Sequence, residues 1–195
     1  MSEKLGKTST MVRKWNVLER MAPEDHGIFK VHTKTAISPR TGAAMRVKSI
    51  SLKDFVIVLP LTQSGEVVMV NQYRHGIEGV CLELPGGLID AGDESPAVAA
   101  ERELREETGF EATGFTSLGA CFPQPAVMDN RCYFFLAQNA RSACQPHPDP
   151  GEDIEIVRLP LQDVPHLIET GHISSGMIQL AFYLYFMRGA AVLPR

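Results

Sequence analysis

One stretch of the chain, residues 86–110, joins a glycine turn, an acidic loop and a helix, and the rest of the fold must accommodate it. The stretch reads GGLIDAGDESPAVAAERELREETGF. Ser95 stands where an N-cap is favoured, and Pro96 occupies the first helical position, where a missing N–H costs no hydrogen bond. Strong helix formers follow, and Gly109 is typical of a helix C-terminus. The sequence therefore predicts a helix from Pro96 to just before Gly109.

Three glutamates share one face of this predicted helix. Glu103, Glu106 and Glu107 stand at positions i, i+3 and i+4. Each like-charged contact at this spacing costs roughly 0.2–0.5 kcal/mol, and the arginines at positions 102 and 105 relieve part of that cost. A bound divalent cation relieves more of it, and clustered carboxylates suit hard cations such as Mg²⁺. For the helix taken alone, a solvated acidic face is the simpler interpretation and stays open.

The same stretch resembles the signature of the Nudix hydrolases, which is glycine, five residues, glutamate, seven residues, and then R-E-apolar-x-E-E-x-G-apolar. Glu94 is followed after seven residues by the run RELREETGF at positions 102–110. One spacing departs from the signature, because six residues separate Gly87 from Glu94. We place the extra residue in the loop at positions 90–93, which leaves the helical carboxylates in register.

Hydrophobic patterning predicts many short strands around one early helix and two late ones. The expected strands cover residues 15–20, 28–36, 44–52, 55–61, 67–73, 81–84, 115–122, 131–138 and 154–159, and the late helices cover residues 161–170 and 175–187. Such a chain predicts an α/β protein in which a mixed sheet lies between helices. The resemblance implies the same architecture, a Nudix-type α/β/α sandwich.

The N-terminal strands lie outside the minimal Nudix core. In members of the family that hydrolyse ADP-ribose, comparable strands form an extra antiparallel sheet that helps to build an intertwined dimer. We therefore expect a disordered tail at residues 1–12, N-terminal strands at residues 13–52 that support a homodimer, and a Nudix hydrolase domain at residues 53–195.

The resemblance also implies a metal site and a reaction. Nudix enzymes hydrolyse the pyrophosphate bond of a nucleoside diphosphate linked to another group. By position, Glu106 and Glu107 correspond to the main Mg²⁺ ligands and Glu103 to a further ligand, with Mn²⁺ as a substitute ion. The Gly86 carbonyl completes the coordination shell. Arg102 holds the carboxylates through charge-assisted bonds and, with Glu103, counts among the catalytic residues.

Further residues resemble those of the ADP-ribose pyrophosphatase group, whose products are AMP and a sugar phosphate. Pro125 lies fifteen residues after Phe110, Arg74 ends the run NQYR, and ELPGGLID occupies residues 83–90. Met128 is a further candidate substrate contact, although its stretch AVMDN departs from the more acidic, serine-containing sequence expected in that group. A plain loop proline and a surface ion pair are the simpler interpretations of Pro125 and Arg74. We expect ADP-ribose or an ADP-sugar as substrate. Other nucleotide sugars, dinucleotides, oxidised nucleoside triphosphates and a non-catalytic nucleotide-binding module are the alternatives.

For the general base, the resemblance points to a glutamate on a downstream loop. The matching region, residues 147–155, is acidic and contains proline and glycine, which favours a loop. Glu152 is the first candidate and Glu155 is the second. The alternatives are that both are ordinary surface charges, that the base lies on the helix, or that metal-bound hydroxide needs no protein base.

Composition limits what else the chain can be. With 195 residues, 44% of them hydrophobic, it can build a substantial core, and its net charge of −4 predicts no broad nucleic-acid-binding face. No apolar run approaches the ~20 residues of a membrane span, and the N-terminus lacks the apolar segment of a secretory signal. The four cysteines show no C-x-x-C pairing, so we expect free thiols in a cytoplasmic protein.

Overall fold

The computed structural model describes residues 12–149 and 151–190, with side chains described as far as residue 188. The predicted disordered tail at residues 1–12 lies outside this part of the chain, apart from its last residue. The described chain forms two units. The first comprises residues up to Leu52 together with Gln124–Asp129, and the second comprises Lys53–Pro123 and the residues from Asn130 onward.

A four-stranded antiparallel sheet makes up most of the first unit. Its strands are β1 (Asn16–Arg20), β2 (Glu24–Asp25), β3 (Lys30–Ile37) and β4 (Ala44–Ser51). β3 pairs with each of the other three. The expected extra N-terminal antiparallel sheet is therefore confirmed.

A mixed sheet runs through the second unit. The strands of this unit are β5 (Phe55–Leu61), β6 (Glu66–Arg74), β7 (Gly79–Glu83), β8 (Phe110–Glu111), β9 (Gly114–Cys121), β10 (Cys132–Gln138), β11 (Arg141–Ser142) and β12 (Ile154–Pro160). The main sheet has the order β12–β6–β5–β10–β9, with β7 beside β6, while β8 and β11 pair with each other. β10 runs parallel to β5, and the other pairs of this sheet are antiparallel.

Helices cover both faces of the mixed sheet. They are α1 (Pro96–Thr108), α2 (Val164–Glu169) and α3 (Gly176–Ala190). The helix expected at residues 161–170 is instead a short 3₁₀ turn followed by α2, because Pro165 is tolerated only in the first turn of an α-helix. No helix in the described part of the chain is both long and apolar enough to cross a bilayer.

Two hydrophobic cores flank the sheet, and the alternation of side chains along β5 separates them. Val56 packs in one core with Leu104 of α1, whereas the next residue, Ile57, packs in the other core with Phe182 of α3. The predicted α/β/α sandwich is therefore confirmed. α1 is anchored by one of these cores, which leaves its charged face free for a site.

Candidate active site

The two ends of α1 fix the direction in which its side chains point. At the start, the Ser95 hydroxyl oxygen accepts a hydrogen bond from the Val98 N–H at 3.3 Å. At the end, Gly109 adopts a left-handed φ of 68°. A Cβ at Gly109 would lie 2.2 Å from the Cys144 carbonyl oxygen, so both conformation and space require glycine. The predicted helix and both of its caps are confirmed.

Two glycines allow the turn before α1 to lie directly against the helix carboxylates. A Cβ at Gly87 would lie 2.5 Å from a Glu103 carboxylate oxygen, and a Cβ at Gly86 would lie 2.2 Å from the Val56 carbonyl oxygen. The Gly86 N–H donates a hydrogen bond to Glu107 Oε2 at 2.9 Å. The turn is therefore held between β5 and α1, and a side chain at either glycine would push them apart.

The Gly86 carbonyl differs from its neighbours in its hydrogen bonding. The carbonyls of Pro85 and Gly87 each accept a hydrogen bond from an N–H of β5, both at 2.9 Å. The Gly86 carbonyl lies between them in the chain and accepts none from any residue that the structure describes. A carbonyl that is open beside carboxylates is a suitable ligand for a hard cation.

The three helix glutamates differ in burial, and burial raises the pKa of the two that are buried. Glu107 is 2% exposed and Glu103 is 8% exposed, whereas Glu106 is half-buried. Burial raises the pKa of Glu107 to about 8, opposed by the Gly86 N–H, and raises the pKa of Glu103 to about 7, opposed by Arg102. The negative charge of these two carboxylates is thus only partly compensated by the groups around them.

Arg102 ties the helix carboxylates to the preceding loop. Its Nη1 donates to Glu103 Oε1 at 2.8 Å and to Glu106 Oε2 at 3.0 Å. Its Nη2 donates to the Leu88 carbonyl at 3.0 Å and to Asp93 Oδ2 at 2.8 Å, and its Nε donates to Asp93 Oδ1 at 3.1 Å. The Asp93 hydrogen bonds are the main cause that raises the pKa of Arg102. Arg102 is therefore a fixed positive charge at the centre of the site.

Several of these groups line one pocket of about 530 Å³ in the second unit, whereas the almost fully buried Glu107 is not part of its lining. Its lining includes Arg74, Gly86, Arg102, Glu103, Glu106 and Glu152. A second cavity of about 810 Å³ shares Arg102 and Glu106 with it. A pocket that presents both carboxylates and arginines can bind cations and phosphates together.

Comparison with known proteins assigns this site to a family. Residues 52–179 match the family described as the NUDIX domain. The chain belongs to the Nudix family. It is therefore a Nudix hydrolase, and members of this family typically use a divalent metal.

Two Nudix relatives illustrate the range of similar proteins. An ADP-ribose pyrophosphatase of Bacillus subtilis (strain 168) is 32% identical over 130 residues, which are 66% of this chain and 70% of that protein. A GDP-mannose pyrophosphatase of Yersinia pestis (strain Pestoides F) is 30% identical over 135 residues, covering 62% of this chain and 64% of that protein, so less than two thirds of that relative is matched. Among solved structures, an ADP compounds hydrolase has a TM-score of 0.82 at 24% identity over 95% of this chain and 100% of that chain. This last likeness shows the shared fold.

The structure shows which acidic residue before α1 pairs with Arg102. Asp93, and not Glu94, forms the two-pronged ion pair with Arg102. Asp93 follows Gly87 after five residues, which is the spacing of the glutamate in the signature. The acidic partner of Arg102 is therefore at position 93, while our placement of the extra residue within residues 90–93 stays a prediction. Counting backward from the helix missed Asp93, whereas counting forward from the glycine would have found it.

Asp93→Asn is expected to lower the melting temperature by at least ~3 °C, because charge-assisted hydrogen bonds that fix Arg102 are lost. Thermal unfolding followed by circular dichroism measures the change. Glu94→Gln is the matched control at the exposed neighbouring position, and it should shift the melting temperature by less than ~1 °C. Equal shifts in the two variants would contradict a specific stabilising role of the Asp93–Arg102 ion pair.

The donor set of the Nudix helix fits a hard divalent cation. Three carboxylates and the open Gly86 carbonyl supply only oxygen ligands, and two of those carboxylates lack full compensation for their charge. Among the described residues, no three His, Cys, Asp or Glu side chains are already gathered as a metal-binding cluster. Glu103 and Glu106 instead share the Arg102 guanidinium. Arg102 contacts one oxygen of each carboxylate, Oε1 of Glu103 and Oε2 of Glu106, so the second oxygen of each could bind a cation while the ion pair is kept.

The two candidates for the general base lie in different surroundings. Glu152 lines the pocket, and its Oε2 also accepts a hydrogen bond from the Asp149 N–H at 3.2 Å. Glu155 does not line the pocket, and its carboxylate accepts a hydrogen bond from Asn71 Nδ2 at 2.8 Å. Of the two, only Glu152 therefore lies with the pocket carboxylates, and a role of either as general base stays a prediction.

The predicted substrate contacts are divided between the two units. Arg74 lines the pocket in the second unit, whereas Pro125 and Met128 belong to the segment Gln124–Asp129 of the first unit. In that segment the Val127 carbonyl accepts a hydrogen bond from the Ile50 N–H at 2.7 Å. A role of Pro125 and Met128 in substrate binding stays a prediction.

Proposed function

We propose that this Nudix hydrolase cleaves the pyrophosphate bond of a nucleoside diphosphate linked to a sugar. We further propose that ADP-ribose or a close ADP-sugar is the preferred substrate, giving AMP and a sugar phosphate. The main support is that one pocket presents the carboxylates of Glu103 and Glu106 together with the side chain of Arg74. Carboxylates bind divalent cations and a guanidinium binds phosphate oxygens, and a pyrophosphate bound with its metal needs both.

Each group in the pocket has a defined task in the proposed reaction. The residues that would hold Mg²⁺, or Mn²⁺ in its place, are Gly86, Glu103, Glu106 and Glu107. When bound, the cation would neutralise phosphate charge and make water more acidic. Glu152 accepts the proton that the attacking water loses. Arg74 binds phosphate oxygens, and Arg102 keeps the carboxylates in place through its ion pairs.

The choice of sugar nucleotide rests on sequence resemblance. The run ELPGGLID at residues 83–90 and Pro125 resemble the ADP-ribose pyrophosphatase group, and the Bacillus subtilis relative carries that name. The Yersinia pestis relative supports GDP-mannose as the second candidate. The cysteines at positions 81, 121, 132 and 144 are free thiols, which supports a reducing compartment such as the cytoplasm as the site of the activity.

A substrate panel tests the proposed specificity. We expect kcat/KM with Mg²⁺ to be at least ~10-fold higher for ADP-ribose than for GDP-mannose or an oxidised nucleoside triphosphate, a ratio that a few pocket contacts can supply. Chromatographic detection of AMP and the sugar phosphate identifies the bond that is cleaved, and the same reactions in EDTA are the control. A higher kcat/KM for GDP-mannose would transfer the proposal to the second candidate.

We also propose that the N-terminal sheet supports a homodimer. Leu18, Ile28 and Met45 are exposed apolar side chains of the first unit, and exposed apolar surface often marks an interface. Light scattering at micromolar concentration should give twice the mass of one chain. Ile28→Glu should shift the protein toward monomer, while Thr41→Glu, in an exposed turn, should not. A monomeric wild-type protein under these conditions would contradict the proposal.

A further inference from the structure

We propose that Glu83 is a positioning residue. It orients the Arg74 guanidinium so that the guanidinium can donate hydrogen bonds to two phosphate oxygens in the pocket. This inference rests on the proposed function, because it identifies how the chain would bind the pyrophosphate group of the substrate. It depends on the ion pair between the buried Glu83 carboxylate and the partly exposed Arg74 guanidinium.

The ion pair is built by the β6–β7 ladder. β6 ends at Arg74 and β7 ends at Glu83. Arg74 lies opposite Gly79 in the ladder, whereas Glu83 lies opposite Val70, so the Arg74 side chain reaches back along the strands to meet Glu83. Glu83 Oε2 accepts hydrogen bonds from Arg74 Nε at 3.0 Å and from Arg74 Nη2 at 2.5 Å.

Burial fixes the Glu83 end of this pair. The Glu83 side chain is 10% exposed, whereas the Arg74 side chain is 46% exposed. A buried carboxylate is unfavourable unless a charged partner compensates it. Arg74 is that partner, so the guanidinium is held at one place while much of the side chain remains accessible.

The guanidinium keeps three donors for a ligand. Arginine has five N–H donors, and the contact with Glu83 uses the one on Nε and one on Nη2. Within the described parts of the chain, the Arg74 side chain makes no other hydrogen bond. Both N–H groups of Nη1 and the second N–H of Nη2 are therefore available. These N–H groups lie along the Nη1–Nη2 edge of the guanidinium, which can bind two phosphate oxygens at once.

The location of Arg74 determines what this edge can bind. Arg74 lines the same pocket as Gly86, Glu103 and Glu106. An anionic ligand that bridges the guanidinium and a cation held by these carboxylates must carry several charged oxygens, as a pyrophosphate does.

Glu83→Gln in the full-length protein tests the proposal, with whichever nucleoside diphosphate derivative the panel shows to be cleaved best. Glutamine can still accept a hydrogen bond from Arg74 but loses the charge, so the guanidinium becomes less well held. We expect KM to rise at least ~10-fold while kcat stays within ~3-fold, because a contact made equally to substrate and transition state is weakened. Arg74→Lys, which keeps the charge but cannot donate two parallel hydrogen bonds, should likewise raise KM with little change in kcat.

Matched controls separate this effect from general loss of ion pairing. Glu111 lies 3.8 Å from Arg105 Nε and does not line this pocket, so Glu111→Gln should leave KM and kcat unchanged. In the Arg74→Ala background, Glu83→Gln should raise KM by less than ~2-fold further, because its effect acts through the missing arginine. Independent, multiplicative effects of the two substitutions would overturn the proposal.

A binding measurement provides a readout that needs no turnover. Isothermal titration with inorganic pyrophosphate in Mg²⁺ buffer should show binding at least ~10-fold weaker for Glu83→Gln than for wild type. Unchanged binding would overturn the role of Glu83. If Glu83→Gln does not fold, Glu83→Asp, which keeps the charge on a shorter arm, takes its place in both measurements. A wild-type protein that binds pyrophosphate but cleaves nothing in the panel would count against the proposed function and not against Glu83.

Discussion

Glu107→Gln is expected to lower kcat by at least ~10²-fold, because metal stabilisation of a transition state is worth several kcal/mol. The Glu107 side chain is almost fully buried, and its Oε2 accepts a hydrogen bond from the Gly86 N–H at 2.9 Å. Glutamine retains an oxygen for this N–H, so the turn should survive while the charge that a cation needs is lost. Turnover is measured at saturating Mg²⁺. Glu101→Gln on the exposed face of the same helix is the control and should keep its rate.

Unfolding of the metal-free protein shows whether the Glu107 variant is folded. Burial raises the pKa of Glu107 from 4.5 to about 8. A carboxyl with a raised pKa in the folded state stabilises the fold below its unfolded pKa, and this contribution is lost as the pH rises through the folded pKa. The melting temperature of metal-free wild type should therefore fall between about pH 5 and about pH 9, and that of Glu107→Gln should fall less. A wild-type kcat in Glu107→Gln would contradict the assignment of Glu107 as a metal ligand.

Glu152→Gln is expected to lower kcat by ~10²–10⁴ with little change in KM, the effect of losing a general base. Glu152 lines the pocket, and its negative charge contributes to the raised pKa of Glu103 and of Glu107, so it lies close to both. A turn holds it in place, in which its N–H donates to the Asp149 carbonyl at 2.8 Å. Rates are measured at saturating substrate across pH, and the acidic limb of the profile should change in the variant.

Glu155→Gln is the matched comparison for the base. Glu155 lies opposite Asn71 in the β6–β12 ladder and is bonded to its side chain, so its substitution should change kcat by less than ~3-fold. If kcat is unchanged in Glu152→Gln but strongly reduced in Glu155→Gln, Glu155 is the general base. If neither variant loses activity, the base lies on α1 or metal-bound water needs no protein base.

Local signals in the sequence were sufficient for α1 and for most strands. Ser95, Pro96 and Gly109 each act through the backbone of their own position, so the helix limits could be predicted without knowledge of any partner. Largely apolar runs likewise identified β5 and β10. Strands of two residues, such as β2 and β11, are too short to carry a period and could not be predicted.

Contacts between distant positions set the limit of sequence prediction. Helix geometry alone placed the three glutamates on one face, but the partner of Arg102 depends on how an irregular loop folds back, and Asp93 was missed. The different surroundings of Glu152 and Glu155 depend on the register of β12 against β6, which hydrophobic pattern specifies only weakly in a strand with both faces partly exposed. The bonding of Gln124–Asp129 to β4 is equally non-local.

The parallel pairing of β5 with β10 also decides when the site can form as the chain folds. This ladder joins Phe55 to Cys132, and the segment 86–107 lies in the chain between them. α1 packs on both strands, through residues that include Val58 and Phe135. Its carboxylates therefore cannot take up fixed positions until the two strands have paired and the long loop between them has closed. Such non-local closure is slow. During synthesis on the ribosome, the acidic helix therefore emerges before β10 does. Substitutions at the positions where β5 and β10 pair should slow refolding more than they alter catalysis by the folded enzyme.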